Sequence, residues 1–404
     1  MKNARRAKDR QAALLVRVET FDRGRDPALL RRKYRAMRDN PFEFLRGSAH
    51  LFYASLPPHP LLRAAPAAWS CGDLHLENLG TYKGDNRQVY FDVGDFDEAA
   101  LTPCTWDVLR LATSILIGAK SLGVKRPARL GLAQRFIEAY GEALAAGEAR
   151  WIERETASGM ILELIETVRK RSRRDFLDER TVRKERKRKL LIDGNRMLRA
   201  PGARRRRILR FMKDFARRQR DRKFFRPIAV AQRIAGLGSL GLERYVVLVR
   251  GKGSPDGNYL IDLKHEPEPA ILPYLRLKQP RWKSEADRVV SVQRRLQAIP
   301  PAFLQGVRIG GKSFVMKELQ PTSDKIYLAN WGGKPKRLEQ LFHAIGEIVA
   351  WGQLRSSGRD GSATADQLIA FARGAKWRSE LLRVVEEVGE RLLADWKSFR
   401  KAWH

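Results

Sequence analysis

The sequence predicts an α+β protein in which a β-rich middle section is flanked on both sides by helical sequence. Apolar residues recur every three or four positions before residue 170 and after residue 338, which is the period of amphipathic helices. Between residues 226 and 320, β-branched residues and glycine dominate, and turn signals separate short runs. The chain has 404 residues and is 43% hydrophobic, which suffices for more than one structural unit.

The first part of the chain is predicted to be mostly helical. Residues 27–55 carry a helical pattern that Pro41 interrupts and the run LPPHP ends. Residues 87–93 look like a short strand, and residues 105–170 return to a helical pattern with a boundary near Gly123. The basic stretch at 169–226 is expected to be helical in pieces.

The middle of the chain is predicted to be a sheet with one helix. Strands are expected near 228–235, 243–250 and 259–265, and the turn sequence GKGSPDG joins the last two. A helix is expected at 284–298 with Ser284 as its N-cap, followed by a hairpin at 306–319. That hairpin contains GVRIGGKS, which matches the Walker phosphate-binding pattern. Because a strand pattern follows it and not a helix, we interpret the match as a hairpin turn.

Composition excludes several classes of protein. No apolar run approaches the length of a membrane span, and the charged N-terminus lacks the apolar centre of a secretory signal. Two cysteines, Cys71 and Cys104, are too few for a disulfide framework or a four-cysteine zinc site. We therefore expect a cytoplasmic protein with two reduced thiols and no transmembrane segment.

The formal net charge is +34, and it is unevenly spread. Residues 169–226 contain 26 Lys and Arg against 7 Asp and Glu. Such a density of cations attracts polyanions, so nucleic acid, an anionic membrane surface and an acidic substrate all fit. A solvated helix face fits equally well. The few aromatic residues in the segment disfavour a platform for stacking bases.

Acidic and amide side chains collect in CGDLHLENLG at 71–80 and DFDEA at 95–99. Phosphoryl transfer needs a carboxylate near the acceptor hydroxyl and oxygen ligands for Mg²⁺. Asp73 and Asn78 on one tight loop can supply a base and a ligand, and a carboxylate of 95–99 can supply a second ligand. Zinc is disfavoured because His75 is the single imidazole nearby. An acidic surface turn is the plain alternative, and a glycosidase-type acid pair would leave Asn78 unexplained.

A glycine-rich motif separates the first two predicted strands of the middle section. Its glycines, with one serine, let backbone N–H groups approach phosphate oxygens without a Cβ in the way; the motif residues are Gly236, Gly238, Ser239 and Gly241. Strand, glycine loop and strand is the arrangement of protein kinases, where a lysine on the next strand holds the nucleotide phosphates. Lys264 has that position, and Glu285 near the start of the next helix is its expected ion-pair partner. A glycine-rich hairpin with a solvent-facing lysine is the structural alternative.

Two motifs resemble a known superfamily. GDLHLEN resembles the G-D-x-H-x-x-N catalytic loop of aminoglycoside phosphotransferases and related small-molecule kinases, and DFDEAALTPCTWDVLRLA is similar to their metal-binding segment. More specifically, CGDLHLENLG with FDVGDFDE is similar to the bacterial family called domain of unknown function 2252. The resemblance implies that Asp73 is the catalytic base and that Asn78 and Asp95 ligate Mg²⁺. It also implies that Asp107 is a buried acid that supports the catalytic loop.

Two further roles follow from the resemblance. Asp92 competes with Asp95 as the second metal ligand, because it also ends the predicted strand. His75 would support the loop and take no part in the chemistry.

The order of the motifs departs from that of an ordinary kinase. The glycine loop and its lysine normally precede the catalytic loop, whereas here they follow it by more than 150 residues. We therefore expect a two-lobed, protein-kinase-like fold that is circularly permuted. Residues 1–225 would form the catalytic helical lobe with the basic insert at 169–226. Residues 226–330 would form the nucleotide-binding lobe, and residues 331–404 would return to the large lobe.

The expected function is transfer of phosphate from ATP, or another nucleoside triphosphate, to a hydroxyl of a small molecule or metabolite with Mg²⁺. The acceptor is not readable from the sequence. Two alternatives stay open: a non-catalytic kinase-like scaffold that binds nucleic acid or anionic membrane through 169–226, and a protein kinase or nucleotidyl transferase that uses the same cleft. The protein kinase ranks lower because no APE-like substrate-loop signature is present.

Overall fold

The computed structural model describes residues 2–321 and 324–403. It begins with four helices, α1 (Lys2–Phe21), α2 (Pro27–Asp39), α3 (Pro41–Gly47) and α4 (Ala49–Ala54). Asp26 caps α2 by accepting hydrogen bonds from two backbone N–H groups of its first turn. Asn40 caps α3 in the same way, and Pro41 is its first residue. The predicted interruption at Pro41 is therefore the boundary between two helices.

Two small antiparallel sheets follow. In the first, β1 (Ala67–Ser70) pairs with β4 (Ala100–Pro103); in the second, β2 (Leu79–Lys83) pairs with β3 (Val89–Val93). The predicted strand at 87–93 corresponds to β3, whereas β1, β2 and β4 are not predicted. These strands are short and mostly buried on both faces, so they lack the alternation that marks a strand in sequence.

Helices dominate the next stretch, as predicted. They are α5 (Thr105–Gly118), α6 (Arg126–Ala146), α7 (Gly159–Lys170) and α8 (Arg173–Asp178). Every residue of α5 is buried, so this helix forms the centre of the helical core. Both cysteines lie nearby as buried free thiols.

The prediction that the basic segment is helical in pieces holds for α8 and for residues 202–217, but it is wrong for residues 181–199. After α8 the chain forms β5 (Thr181–Lys184), β6 (Lys187–Leu190) and β7 (Met197–Arg199), and then α9 (Gly202–Arg217). Arg188 of β6 is buried and forms ion pairs with two carboxylates, Asp178 and Asp256, at 2.6 Å each. Because Asp256 comes from a distant turn, the contact that stabilises this hairpin is not visible in the local sequence.

One six-stranded antiparallel sheet forms the middle of the chain. Its remaining strands are β8 (Pro227–Arg233), β9 (Arg244–Gly253), β10 (Gly257–His265), β11 (Gln305–Ile309) and β12 (Lys312–Glu318). The strand order is β11-β12-β10-β9-β8-β7. The predicted strands and hairpin are confirmed, and the Walker-like match falls on the β11–β12 turn. Helix α10 (Glu285–Leu296) begins after Ser284, whose side chain accepts from the N–H of Asp287.

The two faces of this sheet have different partners. Ile261 and Leu263 of β10 belong to a hydrophobic cluster with α9. Because successive side chains of a strand point to opposite faces, Asp262 and Lys264 lie on the other face. The pairing register sets Asp262 opposite Lys317, and Lys264 opposite Arg244. A charged sheet face therefore looks toward the first part of the chain.

The last part of the chain is helical, as predicted. It contains α11 (Pro335–Ser356), α12 (Ala365–Arg373) and α13 (Trp377–Ala402). These helices join the largest hydrophobic cluster together with residues of α1 to α7 and α10. The first and last parts of the chain thus share one core. In the described part of the chain, no helix combines the length and apolar character that crossing a membrane requires.

Close packing of α6 and α11 generates a stability prediction. At Gly346 of α11, an added Cβ would lie 2.6 Å from the carbonyl oxygen of Phe136 and 2.8 Å from the nitrogen of Tyr140. We expect Gly346→Ala to lower the free energy of unfolding by about 1–3 kcal/mol, because neither backbone can move without repacking the core. Urea denaturation measures this change.

The matched control is Gly131→Ala in α6. Gly131 is exposed and an added Cβ would meet no atom within 4 Å. Alanine is the better helix former, so this variant should gain up to about 1 kcal/mol. A gain at both positions would show that the two helices are not closely packed at Gly346.

Candidate active site

The loop that follows β1, residues 71–78, is held by the first turn of α5. Asp107 accepts hydrogen bonds from the N–H of Cys71 at 2.8 Å and from the N–H of Gly72 at 3.1 Å. The hydroxyl of Tyr53 donates to the carbonyl of Gly72. These bonds satisfy buried backbone groups and fix the direction of the next residue, Asp73. We call residues 71–78 the Asp73 loop.

Asp73 is a mostly buried carboxylate with one cationic partner. The guanidinium of Arg110, one turn after Asp107 on α5, contacts Oδ1 of Asp73 through both Nε and Nη2. Burial raises the pKa of Asp73 to about 6, although Arg110 opposes that shift. Oδ1 is therefore engaged by Arg110, whereas Oδ2 faces the cavity beside the loop.

His75 does not bond to Asp73. Its Nε2 lies 3.9 Å from Oδ2 of Asp73, which exceeds hydrogen-bond distance. Burial, with the nearby Arg46, holds the pKa of His75 well below its usual value, so the imidazole is neutral. Its ring packs edge-on against Phe42. His75 therefore packs against α3, outside the loop, and its supporting role in the loop stays a prediction.

Asn78 closes the Asp73 loop. Its amide nitrogen donates to the backbone carbonyl of Asp73 at 2.6 Å, and the side chain is buried. This bond leaves the amide oxygen as the atom that can accept a hydrogen bond or ligate a cation.

Lys264 reaches from the sheet to the segment that follows β3. Its Nζ lies 3.1 Å from Oδ1 of Asp95 and also contacts Oδ2 of Asp97. Burial alone would lower the pKa of Lys264, but the two carboxylates outweigh it and hold that pKa above its usual value. Burial likewise opposes ionisation of Asp95, and Lys264 overcomes it and holds the pKa of Asp95 well below its usual value. The ammonium group and Asp95 are thus both charged.

The glycine motif lies over Asp73. The connection between β8 and β9, residues 234–243, is called the glycine loop below. A Cβ added at Gly238 would stand 3.2 Å from the carbonyl oxygen of Arg46 and 4.0 Å from Oδ2 of Asp73. Arg25 donates to the carbonyl of Gly238 at 2.6 Å, and Ser239 Oγ stays on its own loop, 3.5 Å from the carbonyl of Ala235.

Two adjoining cavities occupy the space between the sheet and the Asp73 loop, which we call the cleft. One has a volume of about 100 Å³ and is lined by the charged sheet face; the other, about 60 Å³, lies between the glycine loop and Asp73. Both are lined by Asn78, Asp95, Asp97, Gly236 and Lys325. The cleft therefore brings together residues from three distant parts of the chain.

One predicted ion pair is wrong, and one candidate metal ligand lies outside the cleft. Glu285 pairs with Arg288, one turn along α10, at 2.6 Å, and not with Lys264. The partners of Lys264 come instead from the segment after β3, which lies directly across the cleft. Asp92, the alternative metal ligand, lies within β3, pairs with Arg355 at 3.4 Å and lines neither cavity.

Several residues of the cleft are not predicted from the sequence. Asp97 is indistinguishable in sequence from a surface cap. Arg110 lies within DFDEAALTPCTWDVLRLA, at a position for which the resemblance implies no role, and Lys325 lies in a segment without a motif. Glu266 carries a usable signal, because it stands two residues after Lys264 and so shares its face of the sheet. Glu266 is buried, and burial raises its pKa well above its usual value.

The oxygen-bearing side chains of the cleft suit Mg²⁺, which keeps water and phosphate ligands, better than a metal ion that takes all its ligands from the protein. In the described residues, no group of three or more His, Cys, Asp and Glu side chains could hold a metal ion. The cleft instead presents two neighbouring carboxylates, Asp95 and Asp97, beside the amide of Asn78. Mg²⁺ is usually held by one or two carboxylates, with water and substrate phosphates as the other ligands.

Comparison with known proteins finds a family model that matches most of the chain. A family model described as an uncharacterized protein conserved in bacteria matches residues 25–402, which include the Asp73 loop, the glycine loop and Lys264. The curated proteins and the solved structures contain no match to the chain.

The backbone of the Asp73 loop generates the second prediction. Gly72 has φ +82°, and an added Cβ would lie 1.9 Å from the carbonyl oxygen of Glu98. We expect Gly72→Ala to lower the free energy of unfolding by about 3 kcal/mol or more, since strain and a backbone clash add. The control Gly123→Ala has a similar φ of +75° but open space, so it should lose about 1–2 kcal/mol. Equal losses in thermal or urea unfolding would contradict the contact between this loop and Glu98.

Proposed function

The chain belongs to the bacterial family named domain of unknown function 2252, and we propose that it is an ATP- and Mg²⁺-dependent phosphotransferase. Its acceptor would be a hydroxyl group of a small molecule or metabolite. The observation that carries the proposal is the contact of Lys264 with Asp95, at 3.1 Å, beside Asn78 and below the glycine loop. A lysine, a carboxylate and an amide in this arrangement are the groups that hold nucleotide phosphates and Mg²⁺ in kinases.

The order of elements supports a permuted kinase-like fold. The glycine loop joins β8 to β9, Lys264 lies on β10, and α10 and the β11–β12 hairpin follow. Helix α11 then returns to the helical core. Just beyond it, the N–H of Ala363 donates at 2.7 Å to the carbonyl of Ala67, the first residue of β1, the strand that precedes the Asp73 loop. This contact between β1 and the segment after α11 supports the proposed permutation.

The charge of the cleft suits a nucleoside triphosphate. The walls of its larger cavity carry five cationic side chains, Arg233, Arg244, Lys264, Lys317 and Lys325. Arg233 and Arg244 are paired with Asp262 at 2.7 and 2.6 Å. Lys264 is paired with Asp95 and Asp97. Lys317 and Lys325 are then the cations of this cavity that have no ion pair among the described residues. Lysine ammonium groups bind phosphate oxygens as point charges. When bound, Mg²⁺ would neutralise phosphate charge, and Asn78 and Asp95 would hold it.

Asp73 would act as the base. Its Oδ2 faces the cavity under the glycine loop, where an acceptor hydroxyl would lie. As the hydroxyl oxygen bonds to the γ-phosphorus, the bond from that phosphorus to the bridging oxygen breaks, and the nucleoside diphosphate leaves. The hydroxyl proton passes to Asp73. Arg110 holds Asp73 in place through Oδ1 and is a positioning residue.

Nucleotide binding and catalysis should separate by mutation. We expect Asp73→Asn to bind a non-hydrolysable ATP analogue with Mg²⁺ within about threefold of the wild type, yet to lose at least 100-fold in ATP turnover. Lys264→Met should weaken binding of the analogue at least tenfold, because a charged contact to phosphate is lost. Isothermal titration calorimetry measures binding, and the formation of ADP measures turnover.

The control for Lys264→Met is Lys252→Met. Lys252 is an exposed lysine of β9 outside the cleft, so its variant should bind the analogue as the wild type does. Wild-type protein that shows no heat of binding with the analogue and Mg²⁺ would sink the proposal.

The pKa of Asp73 sets a pH dependence. Asp73 must be ionised to accept a proton, so kcat/KM for ATP turnover should fall about tenfold per pH unit below pH 6 and be level above it. Arg110 lowers the pKa of Asp73, so Arg110→Met should move the inflection to higher pH, whereas Arg110→Lys keeps the charge and should move it less. A profile without an inflection between pH 5 and 8 in all three proteins would exclude Asp73 as the base.

A further inference from the structure

The outer surface of the sheet carries a row of cations on α9. Arg206, Arg210, Lys213 and Arg217 are spaced by four, three and four residues, so they form one stripe along the helix. All four are exposed. We call them the basic face.

The orientation of this helix is fixed by its other side. Ile208, Met212 and Phe215 are buried in the cluster that α9 shares with the sheet, including Ile261 and Leu263. Asp262 and Lys264 lie on the opposite face of the same strand and line the cleft. The basic face therefore points away from the cleft, and a ligand bound to it leaves the cleft open.

The cations of the basic face do little for the fold. Within the described chain, three of the four are in no ion pair, and the fourth, Arg217, contacts Asp214. Residues 202–226 contain twelve Lys and Arg against two Asp, so few local acids are available. Like charges three or four residues apart repel and cost a helix a few tenths of a kcal/mol per pair. A bound polyanion would attract each of these cations and reduce the repulsion between them.

The patch continues beyond the helix. The N–H of Arg250 donates to the carbonyl of Arg226 at 3.0 Å, and both side chains are exposed. Arg222 and Lys223, in the connection between α9 and β8, are exposed as well. The cationic surface thus runs from α9 across the connection to the end of β9.

We propose that the basic face binds the phosphate backbone of double-stranded nucleic acid. From residue 206 to residue 217 the helix rises about 16 Å, along which a duplex presents roughly ten phosphates. Three of the four cations are arginines, whose planar guanidinium binds phosphate through two hydrogen bonds.

The surroundings of the basic face disfavour other polyanions. The large exposed hydrophobic side chains of the described chain lie outside α9, so this helix has no apolar group to insert into a bilayer. Its aromatic residues, Phe211 and Phe215, are partly or fully buried in the cluster with the sheet. They are therefore not available to stack on the bases of a single strand.

The test is fluorescence anisotropy with a 30-base-pair DNA duplex of mixed sequence between 0.05 and 0.2 M salt. We expect the wild type to bind with a steep salt dependence. The triple variant Arg206→Glu, Arg210→Glu and Lys213→Glu should bind at least tenfold more weakly at 0.1 M salt. Its plot of log binding constant against log salt concentration should have a slope less steep by about 3. Circular dichroism should show an unchanged helix content, because all three side chains are exposed.

A second triple variant tests whether binding depends on the basic face or only on the net charge of the protein. Arg31→Glu with Arg35→Glu and Lys397→Glu makes the same change in net charge at exposed helical positions. It should lose no more than about threefold. Equal weakening by the two triple variants would overturn the proposal, and so would binding to anionic vesicles or single strands without binding to the duplex. The proposal does not rest on the phosphotransferase, and both triple variants should bind the ATP analogue normally.

Discussion

The cleft depends on the ion pair between Lys264 and the carboxylates of Asp95 and Asp97. It connects the six-stranded sheet to the segment after β3; the Lys264 side chain is buried, whereas that of Asp95 is 39% exposed. Removing charges from water costs of the order of several kcal/mol per ion, and well-packed apolar residues are often at least as stable. Stability alone therefore gives a poor reason for these charges. Two carboxylates share one ammonium group in this contact.

Three charged residues at alternate positions, two in β10 and one just after it, have different electrostatic surroundings. Asp262 is paired with two arginines, which, against the effect of burial, hold its pKa below its usual value. Lys264 is paired with two aspartates. Glu266 is buried, its Oε2 has no hydrogen-bond partner within the described structure, and burial raises its pKa well above its usual value. Unlike Asp262, this third acid has no ion-pair partner in the described chain that holds its pKa down.

The two-residue period of the same strand connects the cleft to the outer surface. Ile261 and Leu263 bury the apolar side of α9, so the position of Lys264 in the cleft and the outward direction of the basic face have one cause. A shift of β10 by one residue would place Lys264 under α9 and Leu263 in the cleft. The packing of α9 therefore protects the register on which the cleft depends.

Local pattern by itself determined the α+β class, the β8–β12 strands, the Ser284 cap and the helices of the first and last parts. These features follow from apolar periodicity and turn chemistry, which act over a few residues. The motifs likewise indicated Asp73, Asn78, Asp95 and Lys264 as candidates. They did not separate Asp92 from Asp95, and they paired Lys264 with Glu285.

Only the tertiary structure decided those pairings. Asp95 and Asp97 reach Lys264 across 169 and 167 positions of sequence, and Arg188 forms its hairpin through a distant carboxylate. Burial and charge pairing depend on which distant segments pack against each other, and these long-range contacts cannot be read from a single sequence. The same reason hides Arg110 and Lys325, whose roles come from where α5 and the segment after β12 pack.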